Sequence, residues 1–275
     1  MEKFKEIYST LFKNEQEIFI DIFEMIVTKL ESHKNKNYIK NVKYSNKDYI
    51  IGIIEVVTNN ISWRRYIGKI NGRILNNKHN YYCKIGVYEE LHNINLKKYL
   101  ESHKNNSKYL SLDSTFISNK QGIEKIGRNV YYKNKRGRKL SAIVDSKGIP
   151  INLHITNGNK HDSKNAPKII DKLALDNYDK NKTYFLADKG YDSNKIRELV
   201  KKKWMKPIIA RRKTKSNTKS LKKKEIKIYR RRIKVENYFS WMKQNAKVNN
   251  IYEKSIKSYV GIIYLCSSII IYRKT

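Results

Sequence analysis

Acidic residues are scarce in this chain: Asp and Glu number 25 against 60 Lys and Arg, a formal net charge of +35. That excess goes far beyond what solubility requires, so a polyanionic partner is the natural inference, with nucleic acid and acidic membrane as the two classes. Cysteine is nearly absent. Cys83 and Cys266 stand far apart, which excludes a disulfide framework and a cysteine zinc site and fits a reducing compartment. No apolar run is long enough for a membrane span: the longest, "VGIIYLCSSIIIY" ending at Tyr272, is broken by two serines and falls short of the roughly 20 residues needed. It reads as a buried helix. The N-terminal "MEKFKEIYSTLFKNEQEIFI" is interrupted by charges and has no signal-peptide core, so an intracellular, DNA-associated protein is expected. Gly, Pro and Ala are also few, while Lys, Asn, Ile and Tyr are abundant. An AT-rich coding sequence produces that composition without selection for binding, so charge alone does not assign a function.

What is present is patterned. From Phe4 to Leu30 apolar residues including Ile7, Leu11, Ile18, Phe19, Phe23 and Ile26 recur mostly at three- and four-residue intervals, which predicts one or two amphipathic helices. "DYIIGIIEVVTNNISWRRYIG" offers two apolar segments joined by "TNN", read either as a helix-turn-helix or as two packed helices without a DNA role. Helical spacing continues to a loop at "NNSK". There the period changes. Residues 109–118, 139–148 and 149–158 read as three strands, with a hairpin turn at Lys147-Gly148. A helix capped by Asp162 follows, then a buried strand "TYFLAD", the helix "SNKIRELVKKK", a fifth strand "MKPIIARR", a basic loop over 213–222 and two further helices. A meander followed by strand-helix alternation predicts an α/β domain with a mixed five-stranded sheet flanked by helices. The expected division is a helical N-terminal region over 1–107 and a catalytic domain over 108–275.

The chemistry is concentrated in three acids. On an ideal helix Tyr229, Arg232, Glu236 and Lys243 share one narrow face, beside an apolar stripe of Ile228, Val235, Phe239 and Met242. Glu236 is therefore expected at the edge of the core, held by packing, where a carboxylate amid cations suits a divalent metal ion that also touches a phosphate. Asp113 interrupts the strand "LSLDST", and Asp188 ends the strand "FLAD" before Gly190. Neither strand position favours aspartate, whose burial is costly unless it is paired or metal-bound. Asp145, before Ser-Lys-Gly, reads as a turn residue, and His161-Asp162 as a helix cap with a neighbouring imidazole.

These motifs resemble the DDE transposases of insertion sequences. The tetrad Tyr229, Arg232, Glu236 and Lys243 matches the Y-(2)-R-(3)-E-(6)-K signature of that superfamily, Asp113 in "SLDST" matches its first acid, and Asp188 in "LADKGYDS" its second. "GRNVYYKNKRGRKLSAIVDSKGIPINLHITNGNKHDS" resembles the segment between them, so the resemblance covers roughly 108–272. It implies a ribonuclease-H-like core in which Asp113, Asp188 and Glu236 are catalytic and bind two Mg²⁺ ions, with Mn²⁺ as a substitute. It also implies cleavage and strand transfer at the ends of a mobile element, with Tyr229, Arg232 and Lys243 on the DNA. Trp63-Arg64 resembles an N-terminal segment that binds terminal inverted repeats, which makes the N-terminal region a DNA-binding one. The implied partners are double-stranded DNA, as element ends and target, and further copies of the chain in a homodimer or larger assembly. The gap between Asp188 and Glu236 is too short for the β-rich insertion domain of some relatives. A domesticated DNA-binding descendant and a metal-dependent nuclease without joining activity are the alternative readings.

Overall fold

The computed structural model describes residues 13–32, 43–103, 107–173, 182–212, 221–244 and 246–275. The basic loop expected over 213–222 lies mostly outside the described residues, as do Phe4, Ile7 and Leu11. Packing divides the chain into two units.

The first unit comprises Met1–Tyr99, Lys120–Glu124 and Trp241–Thr275. Its helices are α1 (Lys13–Ser32), α2 (Asn46–Thr58), α3 (Gly72–Ile85), the greater part of α4 (Val87–Ser102) and, from the far end of the chain, the helix Ile256–Tyr272. Helix α2 begins in a reciprocal cap: Ser45 accepts from the Asp48 N–H, and Asp48 accepts from the Ser45 N–H at 3.1 Å. Phe19, Phe23, Ile53, Val57, Tyr82 and Tyr88 are buried together with Ile262, Leu265 and Ile269 of the last helix. The apolar run near the C-terminus is thus a buried helix. It packs in the unit of the N-terminal helices, a grouping that the linear division at residue 107 does not have. The approach is close: a Cβ on Gly261 would lie 2.5 Å from the Cys83 sulfur and 2.9 Å from the Tyr88 ring.

The second half of "DYIIGIIEVVTNNISWRRYIG" is not a helix. Only Trp63–Arg65 form a single 3-10 turn, flanked by extended Ser62 and Tyr66. The chain here doubles back on itself, which a continuing helix would not allow. A Cβ at Gly72 would sit 1.8 Å from the Trp63 carbonyl oxygen, and the Tyr66 hydroxyl donates to Glu55 of α2.

The second unit comprises Leu100–Asn119 and Lys125–Ser240 and is built on a mixed sheet. Strand β1 (Tyr109–Asn119) runs antiparallel to β3 (Lys135–Val144) and parallel to β5 (Tyr184–Ala187), which in turn is parallel to β6 (Lys206–Ile209). The far edge of β3 carries two strands end to end: β2 (Gly127–Asn129) along Lys135–Gly137 and β4 (Pro150–Asn157) along Arg138–Val144. The three-residue β2 was not expected from the sequence, being too short for an alternation signal. The β3–β4 hairpin turns at Asp145, whose carboxylate accepts from Lys147 and Ile149 N–H groups, and at Gly148, whose φ of 86° favours glycine. Helix α5 (Asp162–Asp171) packs on β4 and on α6 (Asn194–Lys202), and α6 on β6. The parallel strands read as near-continuous apolar runs because both sides are covered, as in Phe185, Leu186 and Ala187, all fully buried.

After β6 come α7 (Lys223–Tyr229), a 3-10 turn at Arg230–Arg232 and α8 (Ile233–Gln244). The single helix expected through Tyr229 and Lys243 is therefore tightened at its three arginines, and this turn packs against β1. The short helix α9 (Ala246–Asn249) and strand β7 (Asn250–Ile251) lead into the last helix, α10.

Replacing Gly261 by alanine overpacks the α10 contact. The expected cost is about 1–3 kcal/mol, seen as a lower urea midpoint at unchanged slope. Adding Cys83→Ala should recover part of that loss, a non-additivity that measures the contact directly.

Candidate active site

Asp113 lies at the middle of β1, where aspartate has poor strand propensity and only about a fifth of its side chain is exposed. Its carboxylate is therefore short of water and needs partners. One Oδ1 accepts from the Ser114 N–H at 2.8 Å, and Oδ2 takes an Arg232 Nη1 at 2.6 Å. The other guanidinium nitrogen, Nη2, donates to Glu236 Oε1, also at 2.6 Å. Arg232 thus bridges an acid of β1 to an acid of α8. Its guanidinium also lies 5.9 Å from the centroid of the Tyr229 ring, a cation–π contact that helps to fix the fork.

Asp188 follows β5 directly and caps the next 3-10 turn, accepting from the Gly190 N–H at 2.7 Å. A Cβ at Gly190 would stand 2.8 Å from the Asp188 Oδ1, so any other residue there would make the carboxylate shift. Burial pushes the Asp113 carboxyl up to about 6, against the Arg232 guanidinium and the Ser114 N–H that hold it down, and the charge of Asp188 adds to the rise. Asp113, Asp188, Tyr229, Arg232 and Glu236 therefore form one electrostatically coupled group.

Glu236 departs from expectation. The apolar stripe beside it is buried as predicted at Val235, Phe239 and Met242, but Glu236 itself is 47% exposed. It is held by the Arg232 fork and not by packing at a core edge. The His161-Asp162 pair is also resolved differently in detail: His161 is the cap of α5, and Asp162 is the first helical residue. The Asp162 carboxylate accepts from Ser114 Oγ at 2.6 Å and pairs with Lys139 at 3.0 Å, so it braces the residue next to Asp113.

Three DNA-binding candidates lie in the first unit. Lys243, near the end of α8, is half-buried, and burial pulls its amine below the usual lysine value. Trp63 is not a free contact surface: its indole N–H donates to Glu253 at 3.0 Å, its ring stacks on His79 with centroids 5.2 Å apart, and Lys247 Nζ lies 4.9 Å over it. His79 is itself fixed by the Tyr88 hydroxyl at 2.7 Å and by Ser258 Oγ at 3.0 Å, and burial lowers its pKa to about 4, which keeps the imidazole neutral. Arg64, next to this anchored ring, is exposed.

Comparison with known proteins bears on what this group is. A family model described as "Transposase DDE domain" matches residues 106–270. The chain belongs to that family. The match takes in the strands that end at or carry Asp113 and Asp188 and the helix that carries Glu236. A protein of Brucella ovis named "Putative transposase for insertion sequence element IS6501" is 24% identical over 132 residues, which cover 48% of this chain and 95% of that protein. No solved structure matches. As a DDE transposase-domain protein the chain has DNA as the substrate its family implies, and its mixed sheet with helices fits a ribonuclease-H-like transposase domain. Among the described residues no helix is long and apolar enough to cross a membrane.

Divalent metals are general to DDE transposase domains. Among the described residues no three His, Cys, Asp or Glu side chains converge as a ready-made metal cluster. The donor chemistry fits nonetheless. Carboxylate oxygens are the ligands that Mg²⁺ and Mn²⁺ take, and Asp113 and Asp188 are like charges whose mutual repulsion a cation relieves. Between Asp113 and Glu236 that cation is now the Arg232 guanidinium.

The sequence did not direct attention to the basic residues around Asp188, namely Arg128, Lys139, Lys160, Lys189, Arg211 and Arg212, which line one cavity with it. The pair Arg211-Arg212 directly after β6 was the available signal, hidden in a chain where basic pairs are common.

The coupling yields a titration test. In carboxyl-labelled protein followed by carbon NMR, Asp113 should titrate near 6; Arg232→Ala should move that midpoint up and Asp188→Asn should move it down. Because the folded state holds this proton more tightly than the unfolded chain, whose value is 3.8, the group favours folding most at low pH. That contribution is lost as pH rises from about 4 through about 6.

Proposed function

We propose that this chain is a DNA transposase that cuts the ends of a mobile element and joins them to target DNA, by metal-dependent hydrolysis and transesterification of phosphodiesters. The observation that carries this reading is the bridge from Asp113 through Arg232 to Glu236, beside Asp188: three acids far apart in sequence share one electrostatic site in a chain of charge +35. A phosphate-binding protein gains nothing from gathering carboxylates, whereas a metal-assisted phosphoryl-transfer enzyme requires them.

In this reading Asp113, Asp188 and Glu236 hold two Mg²⁺ ions, for which Mn²⁺ substitutes. When bound, the metal would activate water or a DNA 3′-hydroxyl as the nucleophile and would stabilise the leaving oxygen. Asp113 must be ionised to take part, and Arg232 favours that form across their 2.6 Å contact. The Ser114–Asp162–Lys139 chain limits the movement of the strand segment that presents it. Tyr229, Arg232 and Lys243 orient the DNA through its phosphates. Trp63 acts through its anchored ring, which sets the turn from which Arg64 reaches the backbone of the element's end. The N-terminal region over 1–107 serves end binding and the region over 108–275 serves chemistry, in a homodimer or larger assembly on paired ends.

The test uses DNA flanking the gene, with purified protein and Mg²⁺ or Mn²⁺. Wild type should give cuts at paired inverted repeats and joined products. Glu236→Gln should lose more than about 100-fold in cutting, beyond what losing an outer partner of a ligand costs, while its DNA affinity stays within about two-fold. Equal cutting by the two proteins would sink the assignment of Glu236, and cuts without joined ends would leave a nuclease.

A further inference from the structure

The cavity that reaches Asp188 is lined mainly by residues outside the acidic site. It has a volume of about 960 Å³, at the upper end of the range for ligand pockets. Arg128, Lys160, Lys189 and Arg211 line it and are exposed, whereas Arg212 and Lys139 are committed to the protein. Arg212 Nε donates to the Lys189 carbonyl at 3.0 Å, its backbone N–H donates to Asp192 at 2.9 Å, and Lys139 is paired with Asp162. Charge of this kind selects an anion but not which anion.

The rim makes the selection. Between β2 and β3 the 3-10 turn Val130–Tyr132 leaves Val130 76% and Tyr131 90% exposed, and both line the cavity. A single exposed aromatic needs no explanation. This turn, however, is held in place from several sides. Asn129, 5% exposed, accepts from the Tyr131 N–H at 3.0 Å and donates to the Gly158 carbonyl at 2.8 Å. Tyr132 is drawn back onto Phe116, the rings stacked with centroids 4.7 Å apart. Lys133 and Asn134 both take left-handed backbone, φ 52° and 56°, which reverses the chain within two residues. Gly158 lets the strands close beneath, since a Cβ there would meet the Gly137 carbonyl at 2.7 Å. The turn anchors one tyrosine and leaves its neighbour standing in solvent at the mouth of a basic cavity.

A ring face beside exposed cations is the chemistry that binds unpaired nucleotides: the base stacks and the flanking phosphates pair with Lys and Arg. A duplex keeps its base faces stacked inside and has no use for such a ring. We propose that this cavity holds an unpaired stretch of the DNA strand being processed, with a nucleobase stacked on Tyr131 and the adjoining phosphates on Arg128, Lys160 and Arg211. The proposal rests on the reading of Asp188 as part of the cutting site, because that places the unpaired stretch next to the reacting phosphodiester.

The experiment is binding by the full chain, in chelator so that no cutting occurs, to a labelled oligothymidylate and to a duplex of equal length, followed by fluorescence anisotropy. Tyr131→Ala should weaken single-strand binding by about ten-fold and leave duplex binding within two-fold, and Tyr131→Trp should retain both. A 5-iodouracil oligonucleotide should crosslink to Tyr131 in wild type. Unchanged single-strand affinity in Tyr131→Ala, an equal loss on both DNAs, a Tyr131→Trp as weak as alanine, or crosslinks elsewhere would each overturn the proposal. Tyrosine-dependent single-strand binding in a protein that cuts nothing would strike the transposase reading alone. Normal cutting with affinity indifferent to Tyr131 would strike this one alone.

Discussion

A single guanidinium organises the acidic site. Asp113 is set into a strand by the register of β1 against β3 and β5, and Glu236 rides on a helix that begins more than a hundred residues later. Two carboxylates brought together in a partly dry place repel each other and resist ionisation, so the arrangement stands only with positive charge between them. Arg232 supplies it with a planar fork that satisfies both acids at once, which a lysine could not do with comparable geometry. The tightened turn at Arg230–Arg232 and its packing on β1 place that fork where the two acids meet.

Much of this was legible in the sequence because it is local. Strands β1, β3 and β4, the helix after His161 and the buried C-terminal helix each carry their own periodicity or turn chemistry, such as Asp145 and Gly148 at the hairpin. The acids were legible for a different reason: aspartate inside "LSLDST" and at the end of "FLAD" contradicts strand propensity, and a contradiction of that kind marks a site. What periodicity could not show is which charge answers which. An ideal helix puts Arg232 and Glu236 on one face, but it does not say that Arg232 reaches across to β1, or that Glu236 is held by this ion pair and not by its neighbours' packing.

"ISWRRYIG" has apolar residues at helical spacing, yet it makes one 3-10 turn because Trp63 is claimed by partners distant in sequence, Glu253 among them. Tertiary partners override local propensity wherever a large side chain finds a buried polar match. Strand β2 escaped notice because three residues give no alternation signal, and the turn that presents Tyr131 because its order comes from Asn129, Gly137 and Gly158, which form no local pattern. The family match covers these residues, but a family description does not say which side chains face the cavity.

The division of the chain into packing units bears on the order of its synthesis. Helices α1 to α3 leave the ribosome before α10, and the apolar surface they share with it stays uncovered until α10 has been made. Until α10 is made, the N-terminal helices expose apolar surface of the kind that promotes aggregation. A chain cut short within α10 keeps Asp113, Asp188 and Glu236 but leaves the unit of the N-terminal helices without part of its core.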